Sequence, residues 1–411
     1  MGFAFFLNCL LTDDDRVNLL TGNMVAGDWR MSQAMWRSPW LPLLAPTATK
    51  QPSLLTNSLS AAPLGSGARF KSDLLAYLRG YNRLRNLVDK LSFYDFRAVR
   101  GALVASLPHK QTVAQSETVG NLWGLPGLAR VLPSIPNAQS STLEGEVASS
   151  EVHTPSFVQR VSFAQSSKPQ IVIQISSVAS IGEKWLREYF FPQLASWTSK
   201  ISNSATVTSP QFSIVFPTAD EIRRSIEGYG SGGSIHMRTQ SPAQQKQLDF
   251  IRPMLCHWAG DERPANPDIS LREAGRRRAA PHIKTYIRFS DASMTKIDWA
   301  MMTSANLSNQ AWGSTMKDGQ VRVCSYEIGI VVWPGLWDDN ETGTKAEMVP
   351  VFKKNTPDDL IGIGDEAVGI RVGWRMPYDL PLLPYSENQQ PWCATEPCAE
   401  PDWMGRSWPG F

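Results

Sequence analysis

The chain has 411 residues, 42% of them hydrophobic, a formal net charge of +2 and five cysteines. This length can bury two ordinary domain cores, and so small a net charge excludes nucleic-acid binding through a global basic field, leaving local patches to carry any such affinity. An odd cysteine count without a Cys-x-x-Cys pair excludes a disulfide framework or a zinc ribbon and fits a reducing compartment.

Residues 1–11, MGFAFFLNCLL, are apolar but lack a basic leader and a small-residue cleavage site, and Asp13 to Asp15 follow at once. They read as a buried strand and turn, not as a secretory leader. No stretch reaches the ~18 apolar residues of a membrane span, so the chain reads as soluble with no membrane partner. RVNLLTGNMVAGDW comes next, with Asn23 six positions before Trp29 and Gln33 shortly after. Residues 43–68 are rich in Pro, Ser and Gly and read as a loop. In FKSDLLAYLRGYNRLRNLVDKL, leucines recur from Leu74 to Leu91 at helical spacing, and ALVASLP then reads as a strand closing a first unit, residues 1–110.

A second unit spans residues 111–411 and opens with a short helix in NLWGLPGLARVL. Residues 134–168 are rich in Ser, Ala and Gln and read as a flexible insertion. PQIVIQ reads as a strand followed by a serine turn containing Ser177, EKWLREYFFPQL as a helix, FSIVFP as a strand, and TADEIRRSIEGY as a helix capped by Thr218. The glycine run GYGSGGS follows a helix and lacks the Gly-Lys-Ser/Thr of a nucleotide loop. Cys256 and His257 read as a buried thiol beside a surface imidazole more readily than as a ligand pair. The tail from Trp374, WRMPYDLPLLPY, is proline-rich and reads as irregular chain lying against the second unit.

The densest chemistry lies between Pro281 and Trp333. HIKTYIRF reads as a strand, and alternation puts His282 and Lys284 on one face. An imidazole beside an ammonium is a poor core and a good anion site: Lys284 would hold phosphate oxygens while His282 acts as nucleophile or proton donor. IDWAMMTSAN reads as a second strand ending in small polar residues, so that Asn306 could offer its amide, and Ser308 its hydroxyl, to the same anion. Glu327 opens the apolar run EIGIVVW. Asn306 precedes Trp312 by six positions, as Asn23 precedes Trp29, and Gln33 stands to the first copy roughly as Glu327 stands to the second. Two distant copies of one unit imply a single site built between them. A second His-x-Lys is nevertheless absent: Phe3 and Phe5 stand near where it should fall.

In these motifs, taken in order, the chain resembles the tyrosyl-DNA phosphodiesterases of the phospholipase D superfamily. The resemblance runs through LLTGNMVAGDW with Gln33, FKSDLLAYL, ALVASLP, SSVASIGEKWL, RRSIEGYGSGGS, PHIKTY through TSANLSNQAWG, SYEIGIVV and MPYDLPLLPY. It implies an α/β fold of two phospholipase D-like α-β-α units related by a pseudo-twofold, with the active site between them. It further implies a repair hydrolase of the nucleus, using no cofactor and no metal, whose partners are DNA 3' ends, single- or double-stranded, joined to a topoisomerase-derived peptide. His282 would protonate the leaving group and then activate water; Lys284, Asn306 and Asn23 would neutralise phosphate charge. Glu327 would orient a catalytic histidine, Gln33 matches the first-half glutamine, and Ser177 and Ser308 would touch the DNA backbone. Asn309 replaces a lysine that often follows Ser308 in the family. The family's nucleophilic His and its Lys would stand at Phe3 and Phe5, so the chain is expected to be inactive or nearly so, unless a segment carrying that pair precedes Met1. Around this site, the turn at Ser234 either lines the DNA groove or is a plain loop. Arg276 to Arg278 either contact phosphates or sit in a solvated loop.

Overall fold

The computed structural model of the chain describes residues 10–11, 15–20, 30–44, 62–81, 84–113, 121–136, 168–196, 209–258, 270–357 and 369–410. Phe3, Phe5, Asn23 and most of the insertion expected over 134–168 lie outside the described residues.

The expected mixed α/β architecture is built on one nine-stranded sheet. At its centre are β6 (Gln170–Gln174) and β11 (Thr285–Phe289), every residue of both being buried. Strands covered on two faces read as nearly continuous apolar runs, which is why both were legible in the sequence. On one side β8 (Gln211–Val215) and β10 (Leu255–Cys256) continue parallel to β6. On the other, β12 (Ile297–Thr303) runs antiparallel to β11, and β15 (Glu327–Val332) antiparallel to β12. The charge in β11, Arg288, is 1% exposed and is matched by Asp298 on β12 at 3.0 Å, with Ser290 donating to the other carboxylate oxygen at 2.7 Å. Burying a charge is tolerated there because it is paired.

Next to β15 comes β4 (Ala102–Ser106), in register from Glu327 opposite Ser106 to Val331 opposite Ala102. The strand read as closing the first unit is thus hydrogen-bonded into the large sheet, so that the sheet runs across residue 110. β1 (Leu10–Leu11), β2 (Val17–Leu20) and β3 (Met35–Arg37) form a separate antiparallel sheet.

The periodic stretch 70–91 is not one helix but two, Gly67–Arg79 and Arg85–Ser92. The first ends at Gly80, where an added Cβ would meet Leu107 at 2.6 Å. The following Tyr81 turns back, its hydroxyl 2.8 Å from that of Tyr77. Leucine spacing continued across the break because both helices bury the same kind of face. The short helix in the second unit forms at Leu125–Val131, and Thr218 caps Ala219–Arg223 in a capping box with Glu221.

The tail lies against the second unit as expected, bridging Leu380 to Arg272, Pro384 to Cys256 and Pro391 to Thr218. It also explains the glycine run. Gly228–Ser234 is a 3-10 segment into which Trp392 packs, donating from Nε1 to Gly232 O at 3.0 Å and Ile235 O at 3.1 Å. A Cβ at Gly232 would collide with the Trp392 ring. Gly232 thus serves packing, and a Cβ at Gly228 would likewise collide with the Asp402 carboxylate.

Candidate active site

The ladder between β11 and its neighbours begins at Thr285, so His282 to Lys284 form an extended lead-in and not the first residues of the strand. Other bonds hold it. Thr303 N donates to Lys284 O at 3.1 Å, and His282 N donates to Ser32 O at 3.0 Å. Ser32 in turn donates from N to Ala280 O and from Oγ to Ala279 O, both at 2.8 Å. The two side chains meet as alternation required. Lys284 Nζ lies 3.3 Å from each imidazole nitrogen of His282, and both residues are buried.

Asn306 sits on the turn after β12, and its carboxamide is fixed by the serine turn after β6. Oδ1 accepts from Ser176 N at 3.0 Å and Ser177 N at 2.9 Å. Two backbone N–H groups can face only an acceptor, so the amide has one orientation and its Nδ2 hydrogens remain as donors. The Asn-to-Trp spacing noticed in the sequence has a physical cause: Trp312 Nε1 donates to Asn306 O at 3.0 Å. Its ring packs between Phe190, at 5.6 Å, and Tyr286, at 5.7 Å. Ser308 is the N-cap of the turn Asn309–Trp312, accepting from Gln310 N at 3.1 Å through the same hydroxyl that could donate to a ligand.

Glu327, at the start of β15, is buried and accepts from Ser304 Oγ at 2.6 Å and Ser325 Oγ at 3.1 Å. Burial pushes its pKa up; the two hydroxyls and the charge of Lys284 pull the other way. The strand registers, with Thr303 opposite Gly329 and bonded to Lys284, put the Lys284 and Glu327 side chains on one face of the sheet. Ser304 also accepts from Ile328 N at 3.0 Å, so one hydroxyl ties the carboxylate to the strand.

Gln33 lines a cavity of about 460 Å3 with Trp36, Thr285, Met302, Ile330 and Arg276. The arginine triplet divides. Arg277 pairs with Asp379 and Glu273, each at 3.0 Å, and Arg278 donates to Arg224 O at 2.9 Å. Two of the three thus hold the chain together. His257 is buried and not at the surface, with Nε2 2.8 Å from Gln389 Oε1 and Nδ1 3.4 Å from Glu221; burial pushes the neighbouring Cys256 thiol up to about 12. The tail covers this imidazole, which a local reading of the sequence could not show.

The sequence reading missed the serines that hold the site. Ser176 and Ser304 fix Asn306 and Glu327, Ser325 completes the carboxylate, and Ser32 anchors the lead-in. Their signal was weak but present, since Ser304 and Ser325 each stand two positions before a residue already singled out. Among the described residues no group of three or more His, Cys, Asp or Glu side chains is placed to hold a metal, and no helix is long and apolar enough to cross a membrane.

Residues 6–386 match the family model described as tyrosyl-DNA phosphodiesterase. A probable tyrosyl-DNA phosphodiesterase of Schizosaccharomyces pombe is 29% identical over 354 residues, covering 84% of this chain and 57% of that protein. Tyrosyl-DNA phosphodiesterase 1 of Arabidopsis thaliana is 28% identical over 426 residues, covering 96% of this chain and 59% of the relative. The chain therefore spans a little under three fifths of the length of these two relatives. A crystal structure of the yeast tyrosyl-DNA phosphodiesterase superposes with a TM-score of 0.56 at 18% identity, covering 93% of this chain and 74% of that one. At that identity the likeness shows the fold, which is the phospholipase D-like α/β fold expected from the sequence.

Proposed function

Since the chain belongs to the tyrosyl-DNA phosphodiesterase family, we propose that it is a DNA-repair phosphodiesterase acting on a 3' phosphotyrosyl bond between DNA and a trapped type I topoisomerase. Residues 282–327 furnish one half of its site. An imidazole attacks phosphorus, the bond from phosphorus to the tyrosyl oxygen breaks, and His282 gives its proton to that oxygen. Water then attacks the phosphohistidine while His282 takes the water's proton, releasing a 3' phosphate. Lys284 and the Nδ2 group of Asn306 neutralise charge on the non-bridging oxygens, with Asn23 and Gln33 contributing from the first half. Ser177 and Ser308 hold the DNA backbone, and Glu327 orients a catalytic histidine.

The observation that carries this reading is the fixed carboxamide of Asn306. A side chain held by two backbone amides on one edge, with its donors left for an anion, is a preorganised oxyanion contact and not a packing residue. The attacking imidazole is the weak point, because Phe3 and Phe5 stand where the resemblance places the nucleophile and its lysine. A phenylalanine can neither attack phosphorus nor move a proton. The chain of 411 residues is therefore expected to be impaired on its own, and the second reading is a non-catalytic DNA-end or protein-binding member of the family.

Release of tyrosine from a single-stranded oligonucleotide bearing a 3' phosphotyrosine separates the two. The comparison is between this chain and a version extended upstream through any in-frame His-x-Lys. Cleavage by the extended form alone, lost in His282→Ala, supports the enzyme reading; cleavage by neither, with DNA binding retained, supports the non-catalytic one. Nuclear localisation, proposed on the same ground, is tested by imaging the tagged chain.

A further inference from the structure

The turn that carries Asn306 is the first strand of a small three-stranded parallel ladder that leads away from the catalytic residues. Leu307 bridges Val178 in parallel, with Leu307 N donating to Ser177 O at 3.3 Å and Ala179 N to Leu307 O at 3.1 Å. On its other side, β7 (Ser177–Val178) pairs in parallel with β9 (His236–Met237), Ser177 opposite His236 and Val178 opposite Met237, and His236 N donates to Ser176 O at 2.9 Å. The registers align three rows. Leu307, Val178 and Met237 make the middle row, at 0%, 5% and 2% exposure. Side chains alternate between faces, so the rows on either side must point the opposite way. One of these is Asn306, Ser177 and His236; the other is Ser308, Ala179 and Arg238. Both His236 and Arg238 are exposed.

From this alignment we infer that His236 and Arg238 form the far wall of the DNA groove, contacting the phosphodiester backbone upstream of the phosphate held at Asn306. This rests on the function proposed above and extends it by one strand. Neighbouring strands lie ~4.8 Å apart, so the row from Asn306 to His236 covers roughly 10 Å. All three members of that row can donate hydrogen bonds, and the Ser308 row ends in a guanidinium whose fork fits phosphate oxygens. No carboxylate stands among the six residues of the two rows, so the face suits an anion. Desolvation by the surrounding chain, and then the charge of Arg238, lower the pKa of His236. At neutral pH its imidazole therefore acts mainly as a neutral donor.

The test is fluorescence anisotropy of a labelled single-stranded oligonucleotide ending in a 3' phosphate, titrated with the full chain over a range of salt. Arg238→Ala is expected to weaken binding by about three- to tenfold at low salt and to flatten the log–log salt slope by ~0.7, as loss of one phosphate contact on a single strand requires. His236→Ala is expected to weaken binding about threefold with little change in slope, because the neutral imidazole displaces no counterion. Arg238→Lys should keep the slope, which separates a lost charge from a misfolded variant. Unchanged affinity and slope in Arg238→Ala, with Ser177→Ala still weakening binding, overturns the inference and leaves the proposed function standing. Loss of affinity for a tyrosine-containing peptide instead of the oligonucleotide overturns it as well, assigning the strip to the leaving group. A wild-type chain that does not bind the oligonucleotide overturns both.

Discussion

The turn at Asn306 and the segment around Ser32 meet at the same lead-in, yet they are held by different means. Asn306 follows directly from β12, is pinned through its carbonyl by Trp312, and has its carboxamide fixed by Ser176 and Ser177. All of these contacts come from the large sheet or from chain packed on it. Gln33 belongs to a segment with its own small sheet, in which Met35 is 58% and nearby Trp40 57% exposed. That segment is tied to the lead-in through the hydrogen bonds of Ser32 to Ala279, Ala280 and His282, and the cavity that Gln33 lines is bordered by Ile283 and Thr285 and not by His282 or Lys284. The geometry at Asn306 is thus intrinsic to the large sheet, whereas the segment around Ser32 is joined to the lead-in by a few hydrogen bonds. Substitutions in the two regions should fail in different ways.

The largest effect is expected at Asn306. Truncation to Ala removes the acceptor for two backbone amides and for Ser176 Oγ, and each buried donor left unpaired costs about 1–3 kcal/mol. Asn306→Ala should lose about 3–4 kcal/mol in urea unfolding, while Asn306→Asp keeps the acceptor, folds, and still loses oligonucleotide binding. If Asn306→Ala were as stable as wild type, the turn would not depend on that side chain. Gly329→Ala tests the same core one strand further along. Its added Cβ would meet Thr303 Cβ at 2.6 Å and Met302 O at 2.7 Å, an overpacking of about 2–3 kcal/mol. A normal unfolding midpoint in that variant would show that β12 and β15 can part without cost.

Docking is expected to be cheaper to disturb. Ser32→Ala deletes the hydroxyl that donates to Ala279 O and leaves the backbone bonds intact, so the loss should be about 1 kcal/mol. The contrast lies in where the loss appears. Hydrogen exchange should quicken around residues 30–37 and 279–284 while β6 and β12 keep their protection. Uniform loosening across the large sheet would mean that the two regions are one cooperative unit.

The same difference governs what could be read from the sequence. Strands β6, β11, β12 and β15 are buried on both faces and announce themselves as apolar runs, and the chemistry at their ends, His282, Lys284, Asn306 and Glu327, stood out as polar interruptions. The Asn-to-Trp spacing was visible before its cause, the indole bond to the Asn306 carbonyl. What could not be read was set by distant partners. The pairing of β4 with β15 joins residues more than 200 positions apart, the burial of His257 is completed by the tail, and the need for glycine at 232 is set by Trp392. The row from Asn306 to His236 depends on register across three segments, none of which carries a periodic signal long enough to show it.

Glu327 gives the smallest expected change in stability and the finest test of how the second half is built. Burial raises its folded-state pKa above the ordinary carboxylate range, against the partial support of Ser304, Ser325 and Lys284. Between the ordinary value and the raised one, the native chain holds a proton that the unfolded chain has released, so this group's contribution falls as pH rises through that window and stays low above it. Glu327→Gln has no proton to lose. It should match wild type in melting temperature at pH 4 and equal or exceed it at pH 8, while weakening any activity that needs an oriented imidazole. A melting-temperature difference that does not change between those two pH values would mean that the hydroxyls and Lys284 fully offset the burial. Glu327 would then be a charged anchor of the lead-in, and its loss should loosen the docked segment around Ser32 as well.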